Sequence, residues 1–351
     1  MSEPDPGLLE RARELATRCT STVADVLDDS AAVALLDIPN HDNPGDAAIL
    51  LGEYELLRSL GVDVAYLADL RSFRREHLAR MAPEGLVLLH GGGNTGDLYP
   101  RHQDFRESYL TEHPDRPVVQ LPQSVYFQDA DAAARARTVY TGVSTLTFLA
   151  RDSLAARRAG AQLGLATTLC PDSAFTLVNR ADLTAGLPRG GEPVVRLLRT
   201  DRESTGADQA PAHKPAGLRD DLPSEDWVIK PKRRARLAVR VMSRATAYTP
   251  AAGAQLSQAS PRANLRLARG LVRNAARQIM RADVLVTDRL HGVILATVFG
   301  VPHVALDNTN GKVHAFHRDW LDDLPGSRRA ESLEEARSLA DGMLRRVGRP
   351  A

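Results

Sequence analysis

Short apolar runs alternate with helix-length stretches along the first half of the chain. AAVALLDI (31–38), VDVAYLA (62–68), GLVLLH (85–90), PVVQL (117–121) and TLTFLA (145–150) have strand length and are bounded by turn residues or charges, as buried strands are. Between them, 46–60, 103–112 and 129–141 read as helices. This β-α-β-α alternation predicts a parallel sheet covered by helices on both faces. The pattern restarts after residue 190 with PVVRLL (193–198), DVLVT (283–287) and PHVAL (302–306). An amphipathic helix is predicted ahead of the last two, with Ala268, Leu271, Val272, Ala275 and Ile279 on one face. The tail, 331–346, reads as a helix with an acidic start and a basic end, as the helix dipole favours. Residues 181–192, rich in Gly and Pro, and the polar stretch 201–226, with Pro211, Pro215 and Pro223, read as linkers. No repeat of solenoid period is present. The predicted fold class is α/β, with two Rossmann-like parallel-sheet domains facing a cleft. The expected boundaries are 1–185 for the N-terminal domain, 186–330 for the C-terminal domain and 331–351 for a closing helix.

Composition narrows the function classes. The 351 residues carry 45 basic and 44 acidic side chains, which argues against holding nucleic acid by bulk charge. Only Lys214, Lys230, Lys232 and Lys312 are lysines; the other basic residues are Arg. The KPKRRAR run (230–236) reads as a solvated face. Cys19 and Cys170 give neither a disulfide framework nor zinc spacing. The N-terminus lacks the basic and apolar regions of a signal peptide. The most apolar region, Val284–Leu306, is broken by Asp288, Arg289 and His291, so no integral membrane segment is expected. The expected location is cytoplasmic, with any membrane association peripheral and mediated by a lipid-linked substrate or a partner.

Open α/β sheets bind ligands beyond the carboxyl ends of their strands, so the residues after each strand are the candidates. After the first strand, His41 and Asn43-Pro44-Gly45-Asp46 precede a helix. A helix start offers free N–H groups to an anion, although the same four residues also make a plain capped turn. After the third strand comes HGGGNTGDLY (90–99), where Gly91, Gly92 and Gly93 permit close backbone approach and Asn94 and Asp97 supply polar ends. It is neither the dinucleotide fingerprint nor a Walker loop. Gln123 and Ser124 follow the fourth strand, and Arg151-Asp152 the fifth; Asp172 follows later in CPDSAF. In the second half, Arg199, then Asp288-Arg289-Leu290-His291-Gly292, then Asp307-Asn308 with Gly311-Lys312, each follow a strand. A His beside an Arg at a strand end, before a helix, suits anion binding and proton transfer. His303, inside an apolar strand, reads as structural, while His314 and His317 stay open.

Taken in order, these pieces resemble the polysaccharide pyruvyl transferase family. The matching segments are Asn43-Pro44-Gly45-Asp46-Ala47-Ala48-Ile49, GGGNTGDLY (91–99), PQS (122–124), Ala150-Arg151-Asp152, Pro171-Asp172, TDRLHG (287–292), and Asp307-Asn308 with Gly311-Lys312. They span 40 to 320; residues 201–260 carry none of them. The resemblance implies a two-domain fold of the glycosyltransferase-B kind. It also implies transfer of the pyruvyl group of phosphoenolpyruvate to a saccharide in exopolysaccharide, capsule or cell-wall glycan synthesis. The product is a pyruvate ketal, and phosphate is released. By resemblance, Arg289, Leu290 (through its backbone) and His291 form the donor site, with Arg199 as a second anion clamp. Lys312 is added on physical grounds, as a compact point charge in a chain that otherwise writes Arg.

His291 is the expected general acid–base, because an imidazole titrates near neutral pH. Arg289 and Asp46 are named with it as catalytic. On the acceptor side stand His41, Asn43, Asp46, Gly93, Asn94, Asp97 and Gln123. No cofactor or metal is expected; the partners are phosphoenolpyruvate and a saccharide, lipid-linked or otherwise activated. Two alternatives stay open: a nucleotide-sugar-dependent glycosyltransferase of the same fold, and a non-catalytic glycan-assembly subunit.

Overall fold

A computed structural model describes residues 3–27, 32–200, 203, 224–227, 237, 241 and 253–346, with side chains of the last stretch from residue 262 onward. The KPKRRAR run and most of the 201–226 stretch lie outside the described residues. The chain divides into two compact units. One comprises Ala16–Leu177 and Lys230–Leu271, the other Met1–Leu15, Val178–Ile229 and Val272–Ala351.

In the first unit the strands are β1 (Ala32–Leu36), β2 (Asp63–Ala68), β3 (Leu86–Leu89), β4 (Gly92–Gly96), β5 (Val118–Tyr126), β6 (Leu146–Ala150) and β7 (Thr168–Leu169). Their order is β2-β1-β3-β5-β6-β7, with β4 also paired to β5, and every pairing is parallel. The helices that serve the site are α2 (Pro44–Ser59) and α4 (Pro100–Glu112); α3 (Arg75–Met81), α5 (Ala130–Thr141) and α6 (Ser153–Arg158) complete the layer, and α1 (Pro6–Ala24) belongs to both units. Helix α2 starts where it does because Asn43 caps it, its side chain accepting the Gly45 N–H at 2.9 Å, with Pro44 preset for the first turn. Leu36, Val87, Leu89 and Val118 pack under Leu110, Ala136 and Tyr140. Each such aliphatic side chain removed from water stabilises the fold by about 1.5–3 kcal/mol.

Two expectations shift here. Gly92–Gly96 is a strand, not a loop. It pairs with β5, and at Gly96 (φ 137°) a Cβ would lie 1.8 Å from the Tyr126 carbonyl oxygen. That added ladder extends β5 to Tyr126, so Gln123 and Ser124 sit within the strand rather than after it. The β5–β6 register slips between Gln120 and Gln123, around Pro122, which has no N–H to give the ladder.

In the second unit the strands are β8 (Glu192–Leu197), β9 (Ser224–Glu225), β10 (Ala282–Thr287), β11 (His303–Leu306) and β12 (Ser327–Ala330). Their order is β12-β11-β10-β8-β9, all parallel. The helices are α7 (Gly253–Met280, which runs through both units), α8 (Leu290–Val298), α9 (Lys312–Trp320) and α10 (Leu333–Arg346). Val284, Val286, Val304 and Leu306 pack against Ala336, Ala340 and Leu344 of α10.

His303 is wholly buried. Its Nδ1 donates to the Val301 carbonyl at 3.0 Å, so its Nε2 accepts from Ser327 Oγ at 2.7 Å. Ser327 Oγ in turn accepts from His317 Nε2 at 2.8 Å. Burial pushes His303 down to about 4 and His317 down to about 3, so both rings are neutral parts of the core near pH 7.

Each sheet reverses its direction of growth at one place. Strand β1 is flanked by β2 and β3, and β8 by β9 and β10. The crevices outside the carboxyl ends of these pairs are where such sheets hold ligands.

Candidate functional site

At the carboxyl end of β1 and β3, the first unit gathers charged side chains away from water. Asp37 leaves β1 in a left-handed conformation, φ 62°, a placement that costs a non-glycine residue energy and is held by its surroundings. The holders are His102, whose Nδ1 lies 2.6 Å from Asp37 Oδ1, and Arg106, whose guanidinium lies 2.7 Å from Oδ2. Arg106 is fully buried on α4 and also donates to Thr95 Oγ1 and Asn94 Oδ1, each at 2.6 Å. Gln123 donates to the same Asn94 oxygen at 2.9 Å.

Beside this network, Glu53 of α2 accepts from His90 Nδ1 at 2.6 Å and from the Gly91 N–H at 2.8 Å. Burial pushes the His90 imidazole down. The Glu53 carboxylate more than offsets this by charge and hydrogen bond, with help from Asp46 and Asp37, so the ring is held above its ordinary range. His41, half-exposed, has Nε2 3.6 Å from Asp46 Oδ2, in the first turn of α2.

These contacts bring together Asn94 and Gln123 of the expected acceptor set; Asp46 lies beside Gly92, where a Cβ would be 3.7 Å from its Oδ1, and Asn43 is the cap of α2. Gly93 lies in β4 next to Asn94. Asp97 is engaged elsewhere: its Oδ2 accepts the backbone N–H groups of Gln128 and Asp129, both at 2.7 Å, where the chain turns into α5. Arg151 and Asp172 form a buried ion pair at 3.0 Å, with Ser124 also bonded to Arg151 at 2.7 Å.

The second unit builds its site at the carboxyl end of β8 and β10. Thr287 Oγ1 donates to the Leu197 carbonyl at 2.7 Å and accepts the Arg289 N–H at 3.1 Å, tying the two strand ends together. Helix α8 begins at once after it, with Leu290 buried and His291 partly exposed in its first turn. Gly292 is needed there: a Cβ would sit 2.5 Å from Thr287 Oγ1. Arg289 grips Asp226 through both carboxylate oxygens, at 2.5 and 2.6 Å. Burial raises the Asp226 carboxyl, but the Arg289 hydrogen bond and charge, with the Trp227 N–H and Thr200, hold it below the usual range.

Arg199, following β8, lies 3.1 Å from Glu203 Oε2, and Lys312 Nζ lies 2.6 Å from the same oxygen. Asp288 Oδ1 accepts the Arg199 backbone N–H at 2.8 Å. Asp307 caps α9, its Oδ1 facing the N–H groups of Asn308, Val313 and His314. Arg199, Arg289, Leu290, His291 and Lys312, the expected donor set, therefore lie along one sheet edge.

Sequence reasoning gave no role to Asp37, Glu53, His90, His102 and Arg106 in the first unit, or to Glu203, Asp226 and Asp288 in the second. His90 and Asp288 stand in the segments picked out after their strands, and Asp37 follows β1 by the same rule. Glu53 is flanked on one face of α2 by Ile49, Leu50, Leu56 and Leu57, a helical spacing that could have marked it as buried, whereas His102 and Arg106 sit on a helix rich in polar residues. Among the described residues, no three His, Cys, Asp or Glu side chains are placed to hold a metal ion, and no helix is long and apolar enough to cross a membrane.

A solved structure of an uncharacterized protein from Klebsiella pneumoniae superposes with a TM-score of 0.60 over 91% of this chain and 99% of that one, at 15% identity, which shows the fold. Pyruvyl transferase 1 of Schizosaccharomyces pombe is 30% identical over 298 residues, 82% of this chain and 69% of that protein. The Bacillus subtilis protein named "Putative pyruvyl transferase EpsO" is 26% identical over 91% of this chain and 94% of its own length. Residues 43–310 match the family described as polysaccharide pyruvyl transferase. With that match covering most of the sequence, the chain belongs to the polysaccharide pyruvyl transferase family.

Proposed function

We propose that this chain transfers the pyruvyl group of phosphoenolpyruvate to a saccharide, forming a pyruvate ketal across two hydroxyls and releasing phosphate, on a glycosyltransferase-B-like architecture. One observation carries the reading: Arg199, Arg289 and Lys312 stand beyond the carboxyl ends of β8, β10 and β11, all nine-tenths buried. Phosphoenolpyruvate presents a carboxylate and a phosphate, about three negative charges, and such groups are met by charge-assisted contacts. The planar guanidinium groups suit two-point contacts, and the ammonium is a compact point charge. The N–H groups of the first turn of α8, Leu290 among them, add positive potential. Glu203 and Asp226 hold these cations in place; the donor takes over part of their hold.

His291, in that same turn, serves as acid–base group for the acceptor hydroxyl. Asp46, with His41, Asn43, Gly93, Asn94 and Gln123, orients the acceptor, a saccharide of a growing polysaccharide that is lipid-linked or otherwise activated; Asp97 fixes the turn into α5. The site is tested by Arg289→Ala and His291→Ala, each assayed for phosphate release with folding followed by circular dichroism. Both variants are expected to lose transfer while staying folded. Full transfer by both would place the donor elsewhere.

A further inference from the structure

Among the described residues, three carboxylates stand at the carboxyl ends of β8, β9 and β10, and they are not equivalent. Glu203 is held by Lys312 and Arg199, and Asp226 by Arg289. Asp288 is 3% exposed and sits in ion-pair contact with no described cation. Its hydrogen bonds come from the Arg199 backbone N–H at 2.8 Å and from its own. The guanidinium groups of Arg199 and Arg289 act on it only from a distance, each already committed to another carboxylate. A buried carboxylate without its own counter-ion is the one that most readily takes a proton. Burial lifts Asp288 to about 6, against the pull of the Arg199 N–H and of both guanidinium groups. Its carboxylate is bonded to the Arg199 backbone and lies within electrostatic reach of the Arg199 and Arg289 guanidinium groups, the cations assigned to the donor.

Resting on the donor reading above, we propose that Asp288 is the acid that protonates the methylene carbon of phosphoenolpyruvate, leaving His291 to receive the proton of the first attacking hydroxyl. The π pair of the C=C bond takes the Asp288 proton and forms the new C–H bond. The neighbouring carbon becomes electron-deficient and is bonded by the first sugar oxygen, whose proton passes to His291. The C–O bond to phosphorus-bound oxygen then breaks, and its electron pair leaves with phosphate. The second sugar oxygen bonds to the same carbon, and its proton leaves on the phosphate. The His291 proton returns to Asp288 through solvent, closing the cycle. One methyl group, one ketal and one hydrogen phosphate result, with no oxidant or reductant.

The test compares wild type, Asp288→Asn and Asp288→Glu, with phosphoenolpyruvate and a panel of activated saccharides. Asparagine keeps an oxygen for the Arg199 N–H but delivers no proton to carbon. The expected result is at least about a 100-fold loss of kcat in Asp288→Asn, with phosphoenolpyruvate binding changed less than about threefold, and partial recovery in Asp288→Glu. Turnover of Asp288→Asn within about threefold of wild type overturns the proposal while leaving the donor reading intact. Absence of phosphate release by wild type itself overturns the donor reading and this proposal with it. Should Asp288→Asn not fold, Asp288→Ser with added formate decides: restored turnover supports the role, and no restoration contradicts it.

Discussion

Lys312 Nζ and Arg199 Nη1 share a single oxygen of Glu203, at 2.6 and 3.1 Å. One carboxylate thus aligns two cations from different strand ends, β8 and β11, at the same edge. The contact is buried, so charges there are screened little by solvent.

Lys312 is therefore expected to resist replacement by Arg. The guanidinium is planar and larger, and cannot take the place of a point charge at 2.6 Å without shifting Glu203. Lys312→Arg should raise KM for phosphoenolpyruvate by about tenfold, roughly 1.4 kcal/mol of binding. Steady-state phosphate release measures this, and an unchanged KM would show that any cation serves.

Gly292→Ala puts a methyl group where Thr287 Oγ1 already lies. The Thr287 bridge to Leu197 and Arg289 has to move, at about 1–3 kcal/mol of overpacking cost. Urea unfolding should report that loss, and Arg289-dependent donor binding should weaken with it. A variant as stable as wild type would mean that the turn is more yielding than its geometry indicates.

Glu53→Gln removes the partner of a buried imidazole. Breaking a buried pair from one side costs about 3–5 kcal/mol. His90, no longer favoured in its charged form, should titrate lower than in wild type, as read from its ring proton shifts. Retention of both stability and the raised titration would assign the effect to Asp46 and Asp37 instead.

The neutral His303 sets a pH dependence of known sign. Its folded pKa, about 4, lies below the unfolded value of about 6.5. The unfolded chain thus binds more protons between these limits, and stability falls as pH drops through the window. At pH 5 the ring alone accounts for about 2 kcal/mol of the loss relative to pH 7. His303→Gln should shrink the wild-type pH 7 to pH 5 difference in unfolding free energy by about that amount. An undiminished difference would assign the loss to other groups.

Much of this was legible before any coordinates. Parallel strands covered on both faces are continuous apolar runs, so β1, β3, β5, β8, β10 and β11 could be read directly. Strand β4, GGNTG, and strand β12, SRRA, could not. The first pairs through glycine backbone with no apolar side chain to mark it, and the second is a charged edge strand. The donor-side cations were found because each follows a strand. Their carboxylate partners Glu203 and Asp226 were not, since ion pairing across a sheet edge leaves no spacing in the chain. Arg106 shows the limit most clearly: on a helix rich in polar residues, nothing in its neighbours announces a fully buried guanidinium.

Pyruvyl transfer from phosphoenolpyruvate is decided by incubating the protein with phosphoenolpyruvate and a panel of activated saccharides, following phosphate release and the mass of the saccharide together. One phosphate is expected for each saccharide that gains the mass of a pyruvate ketal. Phosphoenolpyruvate left intact, with nucleotide released instead from a nucleotide-sugar donor, would rule pyruvyl transfer out.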